Sequence, residues 1–193
     1  MIATIAEAVM DDVTQLLARV REQDNEALNR LFSIVYDDLH RMAQAKVARN
    51  GPMTLLDPTS LVHEAYLRLQ QTGRLDLDSR GRFMAYAAQV LRAIIVDMAR
   101  RRSADRRGGG AVHVTLDTDI AASIGQTDSD IEWINTALDE LETTDPRLKQ
   151  VVEMRYFGGL TEAEVAEALG VTERTVRRDW QRARLLLSVS LRK

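Results

Sequence analysis

Five arginines fall within eleven residues near the carboxyl end of this chain: Arg174, Arg177, Arg178, Arg182 and Arg184. A guanidinium is planar and permanently charged, and its paired donors fit a phosphate or the major-groove edge of guanine. Thr175 places a hydroxyl among them. The same stretch carries Val176, Trp180, Ala183 and Leu187 at helical spacing, so one apolar stripe can pack while the arginines face outward. The segment before it begins with Thr161 followed three residues later by Glu164, a capping box, and continues with Val165, Ala166 and Leu169 on one face. Gly170 stands where a left-handed residue ends that helix, and Thr172 can cap the next. A short helix, a glycine turn and an arginine-faced helix form a DNA-binding helix-turn-helix. A plain helical hairpin with a solvated basic face is the simpler alternative, but cap, turn and charge coincide here.

The elements upstream read as helices throughout. Ile5 to Val20 forms one, with Ile5, Val9, Val13, Leu16, Leu17 and Val20 inward. A longer one spans about Asn25 to Arg49 and stops at Asn50-Gly51-Pro52. Asp57 caps a third, with Pro58 in its first turn, where a missing N–H costs nothing. A polar loop runs from Thr72 to Arg82, and a fourth helix from about Phe83 to Arg102. Ile131, Ile134, Leu138 and Leu141 mark a fifth, and Asp145-Pro146 opens another that ends at Gly158-Gly159. The predicted fold is all-α, with a helical domain over residues 1–102, a flexible acidic linker over 103–130 and a helix-turn-helix domain over 131–193.

Charge follows the same division. The net charge of the 193-residue chain is −3, yet residues 80–107 carry eight arginines against Asp97 and Asp105. Residues 108–145 carry nine carboxylates and no Lys or Arg. Local patches, more than the total, govern association with a polyanion. The acidic stretch can shield the basic surfaces or serve as a solvated tether. Weak interaction of flexible charges beyond a Debye length of about 8 Å favours the tether.

Cysteine is absent, which removes disulfides and thiolate chemistry. No metal or cofactor is expected. His40, His63 and His113 lie on separate elements without ligand spacing, and Gly108-Gly109-Gly110 lacks the context of a phosphate loop, so an enzyme is not expected. No apolar run approaches the ~20 residues of a membrane span and no signal peptide is evident, so a cytoplasmic location is expected.

Three stretches, in order, resemble the extracytoplasmic-function sigma factors of bacterial RNA polymerase. They are Asp57-Pro58-Thr59-Ser60-Leu61-Val62-His63-Glu64, Phe83-Met84-Ala85-Tyr86 through Arg100-Arg101-Arg102, and Val151 to Phe157 with Leu160-Thr161 and Arg174-Thr175-Val176. The resemblance implies that the first domain docks on the polymerase clamp coiled coil through Asp57, Thr59, Ser60, His63 and Glu64. It implies that Arg80, Arg82, Phe83, Tyr86, Arg92, Arg100 and Arg101 face the minus-ten element. Phe83 and Tyr86 can stack on unpaired bases or serve a core, the commoner use of aromatics at this spacing. Arg174, Thr175, Arg177 and Arg178 would read the minus-thirty-five element, with Arg182 and Arg184 on backbone phosphates.

Two departures stand out. Thr59 and Ser60 replace the Glu and Asp of the family's motif, and phosphorylation there would supply about −1.5 to −2 charge at a helix amino terminus. A Ser/Thr protein kinase is therefore an expected partner, as for some members of the family. Asp179 stands where helix-turn-helix sequences often place an aliphatic residue, with Trp180 beside it to take over the packing. The rival function is a one-component regulator binding an operator, which needs a sensor pocket or dimer interface in the first half. An adaptor that holds only proteins does not explain the arginines.

Overall fold

A computed structural model of the chain describes residues 13–49, 57–72, 75–106 and 128–190. The expected helix start at Ile5, the Asn50-Gly51-Pro52 stop and most of the acidic linker lie outside the described residues. Every element within them is helical, and no strand occurs among them. No helix in the described residues is long and apolar enough to cross a membrane.

Residues 13–21 form α1, and Asn25–Arg49 form α2. Asp24 accepts the Ala27 backbone N–H at 3.0 Å and so caps α2. Pro58–Gln71 make α3, with the Asp57 carboxylate accepting from Ser60 N at 3.2 Å. Helix α4 runs from Arg80 to Arg106, starting inside the expected loop and ending four residues past Arg102. Asp128–Thr144 form α5, which begins inside the expected linker. Pro146–Val152 form α6, capped by Asp145, and the chain then winds one π turn over Glu153–Phe157. Glu162–Leu169 and Glu173–Ser190 are α7 and α8, the helix-turn-helix.

Its local geometry is that expected from sequence. Thr161 and Glu164 make both arms of the capping box, and Gly170 has φ +64°. Thr172 Oγ1 accepts Thr175 N at 3.3 Å. These bonds span three residues, so the sequence alone sets them.

The first four helices bury Leu17, Leu31, Leu39, Met42, Leu61, Leu69, Phe83, Leu91, Ile94 and Ile95 to 2% exposure or less. Each such side chain contributes roughly 1.5–3 kcal/mol. The second half buries Ile134, Leu138, Leu148, Val151, Phe157, Val165, Val176 and Ala183. The two halves join in one apolar cluster, because α4 packs against α2 and α3 on one side and α5, the π turn and α7 on the other. Small residues permit this second contact. A Cβ added to Gly81 would lie 2.8 Å from the Ala168 Cα of α7, and one added to Gly158 would lie 3.0 Å from the Ala88 Cβ of α4.

The seam is also charged. Arg41 of α2 donates to Glu164 of α7 at 2.7 Å. Burial pushes the Glu164 carboxyl up, but hydrogen bonds from Arg41 and from the Thr161 backbone and hydroxyl outweigh it and hold the group at about 2. A carboxylate lowered below its ordinary 4.5 stabilises the fold above that value and loses the contribution as pH falls toward 2. Melting of the native chain and of Glu164→Gln is therefore expected to differ most near neutrality. The gap should narrow steadily below about pH 4.5, and a constant gap down to pH 2.5 would contradict this role.

Candidate nucleic-acid interface

Helix α8 turns Val176, Ala183 and Leu187 inward and leaves Arg174, Arg177, Arg178, Arg182 and Arg184 exposed. Thr175 is half-buried, its hydroxyl 3.0 Å from that of Thr172. Arg177 donates to Glu162 of α7 at 2.8 and 3.0 Å, and Arg182 to Asp145 at 3.1 Å. These pairs are solvent-facing and weak, so either arginine can exchange its carboxylate for a phosphate. The result is an exposed basic face at the start of a helix whose opposite side is locked in a core.

Asp179 explains how that helix is seated. It is buried, and its Oδ2 accepts from Arg147 Nε of α6 at 2.7 Å. A charged pair here takes the place of the aliphatic contact expected of the motif. Trp180 is half-buried, with the Arg155 guanidinium 5.7 Å from its ring centroid, so it joins the packing beside Asp179 without replacing it. Arg147→Ala leaves a buried carboxylate without its main partner, which costs on the order of 1–3 kcal/mol. Asp179→Leu removes the charge together with its need for a partner and is expected to lose less. Chemical denaturation of both variants tests the order; an Asp179→Leu chain less stable than Arg147→Ala would reverse the assignment.

The first-half candidates divide. Arg82, Arg100 and Arg101 are exposed on α4. Arg80 is half-buried and paired with Asp38 of α2. Tyr86 is half-buried and donates its hydroxyl to Thr72 Oγ1 at 3.3 Å. Phe83 is 0% exposed, so in this conformation it is a core residue and offers no face to a base. Arg92 is corrected in the same way. It was expected to track a nucleic-acid strand, yet it is 7% exposed and lies between the halves. Its guanidinium donates to Asn135 Oδ1 at 3.0 and 3.2 Å, to the Asn135 carbonyl at 3.2 Å, to Asp139 at 2.5 Å and to Glu153 Oε1 at 2.6 Å.

Asn135, Asp139 and Glu153 were not singled out from sequence. The one available signal was that α4 carries apolar residues on nearly every side, the mark of a helix covered on two faces. Burial pushes the Glu153 carboxyl up against the opposing pull of Arg92 and Lys149, and its Oε2 has no hydrogen-bond partner. Part of the acidic stretch is thus helical and paired, not a tether: Asp139 meets Arg92 and Asp145 meets Arg182. Residues 107–127 lie outside the described residues.

The outward face of α3 carries Asp57, Thr59, Ser60, His63 and Glu64, all exposed. Leu61, Val62, Ala65 and Leu69 pack on the other side. Glu64 lies 3.6 Å from Arg68, which in turn donates to Asp97 of α4 at 2.6 Å. Leu67 is 36% exposed beside them.

Among the described residues no group of His, Asp and Glu is placed to hold a metal ion. What the arrangement presents is an all-helical body with a helix-turn-helix at its carboxyl end and an arginine-bearing helix at its centre. The family model for ECF sigma factors matches residues 10–193, and the chain belongs to that family. It is similar to the ECF RNA polymerase sigma factor SigK of Mycobacterium ulcerans (strain Agy99), at 27% identity over 174 residues, covering 86% of this chain and 87% of that one. Membership makes the protein a transcription initiation factor that works with RNA polymerase core and promoter DNA, not a catalyst in its own right.

Proposed function

We propose that this sigma factor reads the minus-thirty-five element with α8, holds the minus-ten element with α4 and its preceding loop, and docks on the polymerase clamp coiled coil with the start of α3. The observation that carries the first part is the exposed set Arg174, Arg177 and Arg178 on the first turns of a helix whose other side is buried. Arginines there can form bidentate bonds to guanine, while Arg182 and Arg184, further along, meet phosphates. Arg82, Arg100 and Arg101 supply exposed charge along α4, and Tyr86 is the more exposed of its two aromatic rings.

The start of α3 supports a regulated docking step. Thr59 and Ser60 are exposed in its first turn, beside the Asp57 cap. Two hydroxyls stand where a basic coiled coil would prefer charge. A Ser/Thr protein kinase that modifies Thr59, with Ser60 as the lesser site, would add charge at a helix amino terminus, where the macrodipole favours it. The factor is then inactive until modified.

Run-off transcription with core polymerase and a promoter library tests the whole reading. The kinase-treated chain is expected to initiate from a narrow set of promoters and the untreated chain far less. Initiation independent of treatment would remove the kinase and keep the sigma factor. Operator binding without initiation under any condition would favour a one-component regulator.

A further inference from the structure

Three exposed arginines stand on the first turns of α8, and one of them is held by a neighbouring helix. Arg177 donates through Nε and Nη2 to a single oxygen, Oε2 of Glu162, at 3.0 and 2.8 Å. Glu162 is the first residue of α7, where the capping box of Thr161 and Glu164 fixes the backbone. Its side chain is 24% exposed, against 61% for Arg177, so the carboxylate is the anchored partner and the guanidinium the outer one. The hydrogen bonds from Arg177 hold the Glu162 carboxyl below its ordinary 4.5 against the upward push of burial, so it stays ionised near neutrality. A guanidinium has five N–H donors, one on Nε and two on each Nη. Glu162 takes the Nε donor and one from Nη2. The remaining three include the end-on pair, one from each Nη, and O6 and N7 of guanine accept such a pair. Arg177 can therefore keep Glu162 and meet a base at the same time.

We propose that Glu162 is a positioning residue for base recognition: it fixes the guanidinium plane of Arg177 so that the end-on edge reads one guanine of the minus-thirty-five element, and its charge turns phosphate away from that edge. The inference rests on the proposed reading of this element by α8. An arginine oriented beforehand loses less side-chain freedom on binding. The pair is solvent-facing, so the gain is modest, about 3- to 5-fold in affinity for the matched base. Repulsion of phosphate acts on every duplex alike, matched or not. Removal of Glu162 therefore lowers the preference for a matched duplex while it raises affinity for unmatched ones. Damage to the fold would lower both.

The test is competitive binding of reconstituted holoenzyme to two duplexes: the one that the native holoenzyme enriches most from a library, and a scrambled copy. Glu162→Ala is expected to lower the matched-to-scrambled ratio about 3- to 5-fold. It should also raise scrambled binding, with a salt slope steeper by about one as Arg177 turns to phosphate. Glu162→Gln keeps an oxygen that can accept both N–H groups but carries no charge. It should retain most of the preference and still bind the scrambled copy more tightly. In an Arg177→Met chain, which has lost the reading edge, Glu162→Ala should leave the ratio unchanged. Replacing each guanine of the matched duplex in turn by 7-deazaguanine, which lacks N7, should reveal one position that matters to the native holoenzyme and not to Arg177→Met. If no such position exists, Arg177 meets only phosphate and the inference is overturned. Equal loss of both affinities in Glu162→Ala, or the same loss of preference with and without Arg177, would overturn it too. A ratio lost in Arg177→Met but kept in Glu162→Ala would remove the role of Glu162 and leave the reading by α8 standing. A preference that survives Arg174→Ala, Arg177→Met and Arg178→Ala together would refute that reading, and the inference with it.

Discussion

Alanine at both Arg174 and Arg178 is expected to abolish selective retention of minus-thirty-five sequences by the holoenzyme. Both side chains are exposed at the start of α8; Arg178 is 71% exposed, and its nearest carboxylate contact is 3.6 Å to Asp179. Asp179 keeps its shorter bond from Arg147, so the helix stays seated. A bidentate arginine–guanine contact discriminates by about 1–3 kcal/mol. Losing two therefore costs roughly 30-fold to 10⁴-fold on a selected duplex. Arg184→Ala, further along the helix, should weaken all duplexes by a similar factor and reduce the salt slope by about one. The measurement is competitive binding of the reconstituted holoenzyme to a duplex library at two salt concentrations. If the double variant keeps the native sequence preference, the start of α8 is not the reader. If Arg184→Ala alone changes the preference, the reading edge lies further along the helix.

Phosphorylation of Thr59 is expected to strengthen association with core polymerase about 10- to 100-fold. A phosphate at this position can form one to three charge-assisted hydrogen bonds to a basic partner, and each is worth about 1.5–3 kcal/mol in a favourable geometry. The Asp57 carboxylate lies in the same turn and repels the added charge, which keeps the expected gain at the lower end of that sum. Thr59→Ala should bind core as weakly as the unmodified chain and should not respond to kinase. Thr59→Glu should recover only part of the gain, since one carboxylate carries less charge than a phosphate. Surface-immobilised core with the four forms in solution gives the comparison. Equal, tight binding by unmodified, phosphorylated and alanine forms would end the proposal, and a response in Thr59→Ala lost only on Ser60→Ala would move the site by one residue.

Much of this molecule could be read before its structure was seen. The cap at Asp57, the helix start at Asp145-Pro146, the capping box at Thr161 and Glu164, and the left-handed Gly170 all appear where residue types placed them. Each is a bond or a backbone state closed within three or four residues, so sequence spacing is sufficient to specify it. The same holds for the arginine face of α8, because burial of Val176, Ala183 and Leu187 leaves the arginines nowhere to point but outward.

The first-half site was read less well, and α4 shows why. Periodicity shows that a helix has an apolar face; it does not reveal how many neighbours the helix has. Phe83 turned into the core, and Arg92 was covered by the other half, so two residues with the right chemistry for nucleic acid are withheld from it in this conformation. The bonds responsible join Arg92 to residues 43, 47 and 61 positions away, and Arg41 meets Glu164 across 123. What the amino-acid sequence determined by itself was the set of helices, their caps and the exposed arginine face at the carboxyl end, because short-range hydrogen bonds and helical spacing decide those. Only the tertiary structure decided which arginines are available and which are held, since a guanidinium suits a carboxylate and a phosphate equally well and the choice falls to whichever the fold brings within reach.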